Sequence, residues 1–112
     1  MSFEEGLSIL RKIQEESSRI YVHFVEHGKE ERFLSDVRAI TEDGGLVLGR
    51  YEVALLVFNL EGVTFRYEDP RTAAHPEKAA KFFNSCLELS WSKGSLCRLY
   101  VVRDDFDPIT SI

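Results

Sequence analysis

The residues of this chain that could do chemistry are few, and their spacing brings few of them together. His23 and His27 are four apart, a separation that places two ligands on one metal when it lies on a helix. Here it falls on a strand and its turn, where four residues span about 13 Å, whereas zinc needs both ring nitrogens within about 2 Å. His75 stands before Pro76 in a loop. Asp104, Asp105 and Asp107 resemble the start of a calcium loop, but Pro108 stands where that loop needs its glycine. We therefore expect no metal and no cofactor. The carboxylate pairs Glu30-Glu31 and Asp104-Asp105 are adjacent, and neighbours on a strand point to opposite faces, which suits them poorly to acid/base work. No Gly-rich phosphate loop, G-x-S-x-G, H-E-x-x-H or C-x-x-C occurs. The expectation is a chain that is not an enzyme.

Arginines and aromatics remain. Arg32 and Arg38 share one outward strand face, and Arg66 comes near them if the strands pair in order. With Tyr51, Tyr67 or Tyr100 they would form a binding patch; solvated charges on a sheet face are the plainer reading.

The bounds are those of one ordinary domain, residues 1–112. The 112 residues are 44% hydrophobic and 29% charged, too apolar for disorder and long enough to bury about two-thirds of the unfolded surface. The longest apolar run, Val53 to Phe58, is strand-sized, far short of the roughly 18 residues of a membrane span. Acids at Glu4 and Glu5 sit where a signal peptide carries bases. Cys86 and Cys97 lack disulfide-framework or metal spacing, so buried reduced thiols and a cytoplasmic address are expected. A net charge of −5 argues against unaided nucleic-acid binding, which needs an excess of Lys and Arg on one face.

These residues must be positioned by elements whose periods are readable. Ser2 and Glu5 have capping-box spacing, and Phe3, Leu7, Leu10 and Ile13 recur at helical intervals, which predicts a helix over about 3–16. Gly6 costs that helix about 1 kcal/mol. The period then becomes two. Arg19–Glu26 puts Ile20, Val22 and Phe24 on one face, with Tyr21, His23 and Val25 on the other. After the turn at His27-Gly28-Lys29, Glu31–Ile40 puts Phe33, Ser35, Val37 and Ala39 inward. Asp43-Gly44 marks a hairpin, Leu46–Leu48 the next strand, Gly49 a bulge or break, and Tyr51–Asn59 a central strand. Val63–Glu68 alternates cleanly. A second helix is expected from Pro76, its wide apolar face built from Ala79, Ala80, Phe82, Phe83, Cys86, Leu87 and Leu89. Ser95–Arg103 is a last strand.

Residues 20–68 resemble the small Sm-like barrel family in spacing. Gly28-Lys29 is followed by Phe33-Leu34-Ser35-Asp36-Val37, then by Ile40 and Leu46-Val47-Leu48, which keep the register of that family's first motif after a two-residue insertion. Leu60-Glu61-Gly62-Val63 echoes its second motif. The resemblance implies a strongly bent β-meander and an RNA-binding relative. Yet Thr41 and Gly45 stand where the family places the Asp and Asn of its base pocket, and Glu61 where it places Arg. The window Thr41–Leu46 is also similar to the D-x-S-x-x-G pattern of PilZ domains, with Ala39 in place of the leading Asp.

The fold expected is therefore α+β, an antiparallel meander of about five strands curled into a small Sm- or SH3-like barrel, flanked by two helices and completed by a C-terminal strand. An open antiparallel sheet carrying both helices on one face is the rival. The function expected is a non-catalytic protein-interaction or self-associating module, with Arg32, Arg38 and Arg66 as the candidate binding residues. An RNA-binding regulator and a small-molecule binding domain are the alternatives.

Overall fold

A computed structural model describes residues 1–50, 53–68 and 83–103. One helix, α1 (Phe3–Glu15), is followed by β1 (Ile20–Glu26), β2 (Lys29–Ile40), β3 (Gly45–Arg50), β4 (Val53–Asn59), β5 (Thr64–Glu68), β6 (Phe83–Ser90) and β7 (Leu96–Val102). All neighbours pair antiparallel, in a single sheet of order β4-β3-β2-β1-β7-β6-β5 that does not close. The expected barrel of about five strands with two helices is thus replaced by seven strands, one open sheet and, among the described residues, a single helix.

The start of α1 follows from its sequence. The Ser2 hydroxyl accepts from the Glu5 amide while the Glu5 carboxylate accepts from the Ser2 amide, so two of the orphaned N–H groups of the first turn are satisfied. Its apolar stripe delivers Leu10 and Ile13 to the core. Gly6 is there for packing: a Cβ at that position would overlap the ring of Phe65, itself buried. The helix gives up propensity to let β5 approach.

The second expected helix is overturned where it can be seen, because Phe83–Ser90 is β6. Its earlier part, 76–82, lies outside the described residues. The apolar run misled because both faces of β6 are covered. Leu87 and Leu89 face the core, opposite Leu99 and Cys97, while Cys86 on the other face pairs with Tyr100 and is also buried. A strand buried on both sides loses its alternation and then reads like a wide helix face.

The β1–β2 hairpin turns through His27 and Gly28, both at positive φ (50° and 78°), as a two-residue turn requires for its twist to match the strands. β2 then changes partners. Its first half, to Ser35, pairs with β1, and its second half, from Asp36, pairs with β3. A bulge between Val37 and Ala39 separates the inward residues Val37 and Ile40, opposite Leu48 and Leu46. This corrects the expectation that Ala39 points inward: the bulge turns it to the face of Val47 and brings Ile40 onto the core. The Gln14 amide nitrogen donates to the Arg38 carbonyl at 3.2 Å, tying the end of α1 to the bulge. The Ser35 hydroxyl, 2.9 Å from the Gly49 carbonyl, tethers β3 at the same corner, where a second register shift lies at Leu48/Gly49.

The sheet cannot be flat. β4 and β5 are its two edges, so the strand expected to be central at Tyr51–Asn59 is instead an edge with Val57 68% exposed, and the two lie six strand spacings or about 29 Å apart in a flat sheet. Yet only Leu60–Val63 separates Asn59 from Thr64, five Cα steps of at most about 19 Å, and the Val63 amide closes a turn onto the Leu60 carbonyl. The sheet therefore curls until its edges converge at that turn without pairing. Leu46, Leu48 and Leu60 meet Ile20, Val22, Leu89, Cys97 and Leu99 in one core inside the curl, with α1 across it.

Gly6→Ala tests the approach of α1 to β5. The exposed-helix expectation is a gain of about 1 kcal/mol; overpacking against the Phe65 ring should reverse the sign, to a net loss of about 1–2 kcal/mol by urea denaturation.

Candidate functional site

The outer face of the sheet carries one continuous row of polar residues. His23 on β1 pairs with Arg32 on β2 and, on its other side, with Arg98 on β7; Arg98 pairs with Glu88 on β6, and Glu88 with Arg66 on β5. Arg32 and Arg66 thus share a row, but as its two ends, four strand spacings or about 19 Å apart. Strand order decides this: β1, β7 and β6 intervene where a sequential meander would have made closer neighbours. Arg38 is off the row, at the bulge, with its Nε 2.9 Å from Asp36 Oδ1. That contact pairs the charges without hydrogen-bond alignment, since the Nε is buried and makes no hydrogen bond. The structure therefore does not bring Arg32, Arg38 and Arg66 together. Of the tyrosines considered with them, Tyr100 is on the outer face beside Tyr21 and Phe83, and Tyr67 is on the inner face opposite Leu87. Tyr51 lies outside the described residues.

Within the row, charges are paired along the sheet. Glu30 lies 3.3 Å from both the His23 Nε2 and the Arg32 guanidinium, and Arg98 Nε donates to Glu88 at 3.1 Å. Glu88 is 12% exposed and Arg98 34%, so this pair is largely shielded from solvent, whereas Arg32 and Glu30 are about half exposed and contribute little.

The thiols offer no nucleophile. Cys86 and Cys97 are buried thiols not joined in a disulfide, and burial, reinforced by the neighbouring Cys86, pushes the Cys97 thiol up from 9.0 to about 12. Only the thiolate attacks, so Cys97 stays inert at neutral pH. His27 is exposed in its turn, and His75 and the Asp104–Asp107 acids lie outside the described residues.

Two concave surfaces were not evident in the sequence as sites. One is a groove of about 410 Å³ between α1 and the β5–β6–β7 side of the sheet, lined by Ile9, Ile13, Tyr67, Val101 and Met1, with Lys12 on the helix and Glu16 at its C-cap beside it. Among the described residues four large apolar side chains are conspicuously exposed, and three lie at or near this groove: Met1 at 50% and Tyr67 at 51% line it, and Phe3 at 43% packs on Phe65, two residues from Tyr67. The other is a cleft of about 400 Å³ at the far end of β1, where Phe24, Phe58 and Trp91 meet. Helix periodicity had placed Phe3 on the core stripe. What it could not show is that the sheet edge stops short of covering that stripe's flank.

Two outcomes check this description. Arg98→Met leaves Glu88 shielded without its guanidinium and should cost about 1–3 kcal/mol, largely recovered in the Glu88→Gln/Arg98→Met double variant, whereas Arg32→Met should stay within about 0.5 kcal/mol. For Cys97, both folded and unfolded states keep the proton below pH 9.0. Above it only the unfolded thiol ionises, so stability is lost as pH rises toward about 12, at about 1.4 kcal/mol per pH unit. The wild-type minus Cys97→Ala difference, followed by urea denaturation, should decline across that window.

No family model, no curated protein and no solved structure matches this chain.

Proposed function

We propose that this protein is a non-catalytic, self-associating module whose α1–β5 groove receives a second copy of the same chain about a two-fold axis. The observation that carries the reading is the exposure of Met1 and Tyr67 in the lining of one groove, with exposed Phe3 nearby on Phe65, three of the four large apolar side chains exposed among the described residues. Scattered apolar residues on a surface need no explanation; a contiguous strip beside a concavity is the mark of an interface.

A second copy is favoured by self-complementary charge. Lys12 and Glu16 lie one helical turn apart beside the groove, in the order that is the less favourable one for pairing within a helix. With α1 antiparallel to its symmetry mate and the axis between these residues, each Lys12 meets the other copy's Glu16, and the contact is made twice. Ile9 and Tyr67 then lie on the flanks of that contact as its apolar filling. The pairing sets register and orientation more than affinity, which comes from the buried apolar side chains.

Sedimentation velocity at roughly hundred-micromolar protein tests the reading. The wild type should be a dimer. Tyr67→Asp should weaken association about a hundredfold, Lys12→Glu should weaken it and Lys12→Glu/Glu16→Lys should restore it. A monomeric wild type at that concentration refutes self-association. A dimer indifferent to Tyr67→Asp refutes the groove.

A further inference from the structure

The cleft at the opposite end of β1 is built differently from the groove. Phe24 and Phe58 meet edge to face at 5.2 Å between centroids, and Phe58 stacks on Trp91 at 5.5 Å and 22°. Trp91 is held from three sides. Its amide donates to the Ser95 carbonyl at 3.1 Å, its carbonyl accepts from Gly94 at 3.0 Å, and its indole Nε1 donates to the Asn59 carbonyl at 2.9 Å. The last bond joins the β6–β7 turn to the end of β4, so the aromatic wall is set by the same convergence that curls the sheet.

Carboxylates stand at this wall. Glu26 and Glu61 both line the cleft, and Glu26 is oriented by the Ser95 hydroxyl, which donates to its Oε2 at 3.1 Å. Lys93 is the opposing charge in the lining, and His27 approaches Glu26 from outside the cleft at 3.9 Å. Among the described residues the lining charges sum to −1 at neutral pH: two carboxylates against one ammonium.

We propose that this cleft binds an alkylated ammonium group, one whose positive charge is spread over methyl substituents. An aromatic wall favours a cation by the quadrupole of a ring face and an apolar surface by its burial. A neutral apolar guest would gain only the second and would shed water from Glu26 and Glu61 without compensation. A primary ammonium is strongly hydrated and loses more on entry than a methylated one. Because Trp91 and Glu26 are already held by hydrogen bonds, little ordering cost is left for the binding step. A choline-type headgroup and a methylated lysine side chain present the same chemistry.

The test uses the chain's single tryptophan, Trp91, as a reporter within the site. The full-length protein is titrated with tetramethylammonium chloride, against tert-butanol as a neutral probe of similar shape and against matched sodium chloride. Calorimetry on the same samples detects binding that leaves the emission unchanged. Tetramethylammonium should bind at least about tenfold tighter than tert-butanol. Glu26→Gln/Glu61→Gln should weaken it about tenfold and Lys93→Gln should tighten it about threefold, with the fold unchanged by circular dichroism. Choline and Nε-trimethyl-lysine amide then distinguish the sources, the tighter of the two naming the partner class. Equal affinity for the cation and the alcohol, or no heat and no spectral change with tetramethylammonium, overturns the proposal. So does an affinity indifferent to both glutamates.

Discussion

The four residues Leu60–Val63 have to join the two outermost strands of a seven-stranded sheet, and much of the architecture answers to that short span. A flat sheet would hold β4 and β5 about 29 Å apart, beyond the reach of the connection. Curling places the inner faces of β3 and β4 over those of β1 and β7, which is why Leu46, Leu48 and Leu60 are fully buried together with Ile20, Val22 and Leu99. Two irregularities make the curl possible. The bulge at Val37/Ala39 lets β2 serve β1 with one half and β3 with the other, and the shift at Leu48/Gly49 bends β3 against β4. Gln14 and Ser35 satisfy carbonyls at this corner, at Arg38 and Gly49 respectively, so the bend leaves fewer backbone groups without partners.

The same curl accounts for where the surface is concave. At one end the converging edges draw Trp91 onto Asn59 and form the aromatic cleft. At the other, α1 lies between β2 and β5, tied to the first by Gln14 and seated on the second where Gly6 admits the Phe65 ring. A helix of 13 residues is about 20 Å long, too little to cover the inner face of every strand, and the uncovered margin is the groove with Tyr67 and Met1. The outer face is balanced by contrast. Its arginines are interleaved with Glu30 and Glu88 along one row, an arrangement that neutralises charge locally and disfavours a concentrated anion-binding patch.

Much of the local structure was legible. The capping box of Ser2 and Glu5, the alternation of Ile20, Val22 and Phe24, and the turn glycines at Gly28 and Gly44 each act over a few residues, so their signals survive in sequence. The errors have a common origin in partners far along the chain. Phe83–Ser90 reads as a helix until its pairing with β7 is known, which sets Leu87 beside Leu99 on one face and Cys86 beside Tyr100 on the other. Ala39 reads as inward until the bulge is known. Arg66 joins Arg32 on paper and lies four strands away in space, because β7 inserts beside β1.

By itself, the sequence determined α1 and its cap, the alternation of β1 and β5, the presence of β7, many of the apolar positions that make the core and the burial of both cysteines. Those are consequences of backbone geometry and of apolar surface leaving water, which need no knowledge of the neighbour's identity. Tertiary structure alone decided the strand order, the curl, the strand identity of β6, the α1–β5 groove and the aromatic cleft. Each of these depends on which distant segment satisfies a given edge or face, a choice set by the summed pairing of β1 with β7 and by the reach of a four-residue turn.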